Sequence, residues 1–194
     1  MNSPDAATRE RTADYLGDLA ALCADLGGKV MVFGSPKQRN VDPSLTKEQA
    51  WKFAVETLRE AVPEVESRGV VLCLEPLSPQ ETDFLNTAEE TARMVREIDS
   101  PAVRLLLDVK AMSSESIAIP DIIHANADVL GHFHANDANL RGPGFGDSDF
   151  RPIAQALKDI GYSGWVSVEV FDFSPDPVTI AERSMQYLRK CFSS

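Results

Sequence analysis

The sequence predicts an α/β fold built on a parallel sheet. Three observations predict it. Short apolar, β-branched runs alternate with longer amphipathic runs along the whole chain. The short runs are largely apolar and separated by helices, as in a parallel sheet covered on its faces. Turn-forming residues separate the runs.

Taken in order, the first helix is expected from about Pro4 to Leu26, with Tyr15, Leu16, Leu19, Leu22 and Leu26 at helical spacing. Gly27 and Gly28 end it. Lys29 to Phe33 reads as a buried strand. A loop through Gly34 and Arg39-Asn40 leads to a second helix, opened by the capping box Thr46-x-x-Gln49 and running to about Arg68, with Pro63 as a kink point. Then follow strand Val70 to Glu75, helix Thr87 to Ile98, strand Val103 to Asp108 and a short helix from Pro120 to about Ala127. Leu130 to Ala135 is a strand, Phe150 to Ile160 a helix stopped by Gly161, Trp165 to Phe171 a strand and Asp176 to Phe192 a helix. Five strands therefore alternate with helices. Periodicity leaves an open doubly wound sheet and a closed barrel both standing. No Gly-x-Gly-x-x-Gly follows a strand, which removes the dinucleotide-binding form of the open sheet.

The chain's 194 residues suffice for one domain, expected over 1–194, with a real core. A complete (β/α)8 barrel usually takes roughly 250 residues. The formal net charge of -11 repels phosphate backbones, so nucleic acid is not an expected partner. Such a charge also keeps a protein soluble. Three cysteines, Cys23, Cys73 and Cys191, give neither a disulfide framework nor zinc-type pairs, and a cytoplasmic location is expected. No apolar run is long enough to span a membrane, and the N-terminal stretch lacks the apolar core of a signal peptide.

Four strands end in a residue able to bind metal: Glu75, Asp108, His134 and Glu169. In a parallel sheet or barrel all such ends lie on one face, where active sites are built. Three carboxylates gathered there would be costly without compensation. One divalent cation removes that cost, and the oxygen-rich donor set suits Mn2+, Mg2+ or Co2+ better than a structural zinc site, though Zn2+ also accepts these ligands. A single acid at a strand end is ordinarily a cap or loop anchor; one per consecutive strand is the informative pattern.

Leu74-Glu75-Pro-Leu, Leu106-Leu-Asp108, His132-Phe-His134-Ala-Asn-Asp137 and Val168-Glu169 together resemble the xylose isomerase-like sugar isomerases and epimerases, nearest the ketose 3-epimerase and hydroxypyruvate isomerase branch. The resemblance runs from about Pro4 to Phe192. It implies a partial TIM (β/α)8 barrel whose five parallel strands correspond to the fourth to eighth units. It implies one metal ion on the four strand-end residues, with Glu75 and Glu169 also exchanging a proton with the substrate through an enediolate. Glu81, six residues beyond Glu75, takes the place of a glutamate that binds substrate hydroxyls. The substrate class implied is a small sugar or hydroxy-ketone.

The chain departs from the family pattern in places. Ala111 stands where a substrate-contacting histidine is usual, leaving Lys110 as the candidate polar contact. Leu140 holds the spacing of a substrate arginine, with Arg141 beside it at the start of the Gly142-Pro-Gly-Phe-Gly146 loop. Arg39, after the first strand, is a further substrate-binding candidate, with loop anchoring as its other reading. His132 reads as a core histidine or a neighbour of the metal site, Trp165 and Trp51 as packing. The first three strands of the family barrel have no counterpart; a homo-oligomer covering the open edge is the expectation, with a separate chain at that edge or a truncated product of poor activity as the other readings. Two other functions compete: a related polyol or sugar dehydratase, and an inactive barrel that binds metal or sugar without catalysis.

Overall fold

Local signals set most of the helix ends. Thr46 accepts from the Gln49 N–H while the Gln49 side chain accepts from the Thr46 N–H, so both orphan donors are met and α2 spans Lys47–Ser67. Thr87 accepts from Glu90 N in the same way to open α3, Ala88–Ile98. Asp5 caps α1, Ala6–Asp25. A computed structural model of the chain describes residues 1–193. The remaining elements are β1 (Val30–Phe33), a 3-10 turn at Pro36–Gln38, β2 (Val71–Leu74), β3 (Val103–Asp108), α4 (Val109–Met112), α5 (Ile119–Ala125), β4 (Leu130–Ala135), α6 (Phe150–Asp159), β5 (Val166–Val168) and α7 (Pro177–Ser193).

The five strands are parallel, as expected from their largely apolar sequences. The chain packs as two compact units, Met1–Leu105 and the segment from Leu106 onward. In the first unit β2 pairs with β1 (Phe33 opposite Leu74) and with β3 (Leu74 opposite Leu105). Helix α1 packs on α2; Ala13, Leu16 and Ala20 are buried on the first helix and Ala50, Ala54 and Leu58 on the second. A cavity of about 880 Å³ lies against α1 and β1, lined among others by Tyr15, Leu19, Met31 and Val32. In the second unit β4 pairs with β5 (Ala135 opposite Val168), α5 packs on α6, and α6 on α7. Phe133, Phe150, Leu106 and Leu107 are fully buried there.

Helix α2 continues through Pro63. Two expectations are corrected. The last strand is three residues, Val166–Val168, not the seven-residue run Trp165 to Phe171. Its continuation leaves the ladder because Phe171 N and Asp172 N both donate to the Leu140 carbonyl, at 2.8 and 2.9 Å. Trp165 does not pack; it is 80% exposed. Among the described residues no helix is long and apolar enough to cross a membrane.

Candidate metal centre

In the second unit, Asp108, His134 and Glu169 converge. Asp108 closes β3, and its side chain caps the short helix α4: Oδ1 accepts from Ala111 N at 2.8 Å. Its other oxygen, Oδ2, accepts from Asn136 Nδ2 at 2.5 Å. His134, on β4, places Nδ1 3.2 Å from Glu169 Oε2 and 3.8 Å from Asp108 Oδ2. Glu169 follows β5, and its N–H still donates to the Ala135 carbonyl. Each of the three offers a ligand atom within 4.8 Å of the others.

The electrostatics favour a cation. Burial pushes the Asp108 carboxyl above the ordinary carboxylate range. The Ala111 and Asn136 hydrogen bonds and His134 pull it back, while Glu169 pushes it further up. Asp108 is fully buried, whereas the Glu169 side chain remains 37% exposed. Two carboxylates and an imidazole, packed this closely, form the oxygen- and nitrogen-rich donor set that a divalent cation takes.

Glu75 follows β2 in the first unit and is buried. Its N–H donates to the Phe33 carbonyl and its own carbonyl accepts from Arg39 Nη1 at 2.6 Å. Gly34 makes room for the Glu75 carboxylate: a Cβ on Gly34 would lie 1.7 Å from Oε2. Arg39 is wholly buried, its second guanidinium nitrogen donating to the Phe33 carbonyl at 2.6 Å. Burial lowers its pKa to about 10, against the opposing pull of Glu75 and Glu81.

The other candidates are more open. Glu81 is exposed, and its Oε2 accepts from Ser78 Oγ at 2.8 Å. Lys110 holds its ammonium 4.4 Å above the Phe171 ring. Arg141 donates to the Ser174 carbonyl at 2.6 Å and lies 3.5 Å from Asp172. His132 is buried beside His134, the rings edge to face at 5.2 Å, and its Nδ1 has no hydrogen-bond partner among the described residues. Sequence reasoning gave no role to Asn136, which is fully buried against Asp108. Its signal was available: two residues past His134, it continues the alternation that turns His132 and His134 to one side.

The family model described as xylose isomerase-like TIM barrel matches residues 1–191. The chain is 32% identical to a D-psicose 3-epimerase of Ruminiclostridium cellulolyticum over 173 residues, 88% of this chain and 59% of that protein. It is 30% identical to a 3-dehydro-D-guloside 4-epimerase of Escherichia coli K12 over 140 residues, 72% of this chain and 53% of the relative. The chain thus spans between half and two thirds of the length of these relatives. A crystal structure of D-psicose 3-epimerase with D-tagatose from Clostridium cellulolyticum H10 superposes with a TM-score of 0.86 at 28% identity, covering 98% of this chain and 72% of that one.

Proposed function

The chain belongs to the xylose isomerase-like TIM barrel family, with the five parallel strands of a partial barrel, and from that membership we propose that it is a divalent-metal-dependent sugar isomerase or epimerase. The observation that carries the reading is the convergence of Asp108, His134 and Glu169 at the ends of three consecutive strands. Glu75, at the end of the preceding strand, is the fourth ligand of the proposal, on the strength of the family resemblance. Mn2+, Mg2+ or Co2+ fits these donors best.

A bound cation of this kind supplies Lewis acidity toward adjacent carbonyl and hydroxyl oxygens. The chain's own part is proton transfer and orientation. Glu169, the more exposed carboxylate, takes the proton from the carbon next to the carbonyl. That leaves an enediolate, and Glu75 returns a proton to the same carbon from the other side for an epimerase. Glu81, Lys110 and Arg141 are the proposed contacts to substrate hydroxyls; Arg39, wholly buried with its guanidinium on the Phe33 and Glu75 carbonyls, takes the loop-anchoring part instead. The similarity to D-psicose 3-epimerase favours a free ketose as substrate.

Incubation with Mn2+ and a panel including D-psicose, D-fructose and D-tagatose in D2O tests the proposal. Deuterium should enter the epimerised carbon, and Glu169→Gln should lower the exchange rate by about 10²–10⁴-fold. A folded, metal-loaded protein that exchanges no proton with any ketose would sink it.

A further inference from the structure

We propose that Asn136 is a positioning residue that fixes the plane of the Asp108 carboxylate for cation binding. The inference rests on the metal reading above. It starts from the Asn136 side chain, which is fully buried and satisfied at both ends. Its Oδ1 accepts from the Lys110 N–H at 2.8 Å. A backbone N–H can only donate, so that contact fixes which way round the amide lies. The NH2 half must then face Asp108 Oδ2, at 2.5 Å.

Asp108 is held at two points. Ala111 N–H grips Oδ1 from the first turn of α4. With that bond alone the carboxylate plane could still swing about it. The Asn136 bond reaches Oδ2 from the end of a different strand and removes the swing. Oδ2 is also the oxygen 3.8 Å from His134 Nδ1. One of its lone pairs is spent on Asn136, which leaves the other for a cation held with His134 and Glu169. Partners that orient metal ligands in this way commonly matter 10–100-fold in affinity.

The test compares Asn136→Ala and the smaller polar variant Asn136→Ser with wild type, using Mn2+ affinity and the visible absorption of the Co2+-loaded protein. Asn126→Ala is the control. Asn126 is likewise buried and donates to the Ile122 carbonyl, so its loss removes a comparable buried amide bond. The expected result is a 10–100-fold weaker Mn2+ affinity and an altered Co2+ spectrum for the Asn136 variants, with both unchanged in Asn126→Ala. Asn136 variants that keep the wild-type affinity and spectrum would overturn the proposal, as would equal losses in the control. A wild type that binds Mn2+ but exchanges no deuterium defeats only the enzyme reading. A wild type that binds no Mn2+ defeats both.

Discussion

His132 shows how a single side chain records its surroundings. Burial, with His134 beside it, lowers its pKa from 6.5 to about 4. Above pH 6.5 the ring is neutral in both folded and unfolded chains and the group contributes its full stability. As the pH falls from 6.5 toward 4, the unfolded chain takes up the proton first, so stability is lost across that window and the loss levels off below it. Urea unfolding of the metal-free protein between pH 7 and 4 should show this decline, and His132→Gln should flatten it. An equally steep decline in the variant would assign the acid sensitivity to other groups. Asp108 works the other way at the same scale: its raised pKa penalises the ionised form, which a cation relieves.

Among elements, the loop after β4 lies close against α7. A Cβ on Gly142 would stand 2.3 Å from Ser184 Oγ and 3.1 Å from Ile180 Cγ2. Ser184 is fully buried, and its hydroxyl has no hydrogen-bond partner among the described residues. Gly142→Ala should therefore destabilise by about 1–3 kcal/mol through overpacking. Ser184→Ala alone should be close to neutral or stabilising, because it deletes an unpaired buried polar group. The double variant should recover most of the loss, since the closest contact goes with the hydroxyl; urea denaturation of the four proteins gives the coupling. Strictly additive losses would mean that the clash is absorbed elsewhere. Elements also show what the sequence makes legible. The capping signals at Thr46 and Thr87 are local, and both helices begin there. The four strand-end ligand candidates were legible because each closes an apolar run. Helix α4 was not, being four residues long and set by the Asp108 cap instead of a periodic stripe. The early end of β5 was hidden too: Phe171 and Asp172 bond to Leu140, some thirty residues earlier, and no local pattern encodes that partner.

At the scale of the whole molecule, metal binding and stability are one quantity read twice. A ligand that binds only the folded chain stabilises it by about 2.7 kcal/mol at a hundred times its dissociation constant. Mn2+ should therefore raise the melting temperature in a concentration-dependent way, and a chelator should reverse the rise. Asp108→Asn should abolish the response while leaving the chain folded; a response that persists in this variant would place the cation elsewhere on a protein of net charge -11. A different consequence attaches to Gly34. The atom that would collide with the Glu75 carboxylate is a Cβ, which every other amino acid carries. Position 34 thus holds a yes-or-no message, glycine or not. What a substitution displaces first is the mobile end of a glutamate, while the backbone around it stays as it is. Mutational drift at such a position can silence a site and leave a well-folded chain behind, so screens for stability alone would pass it unnoticed.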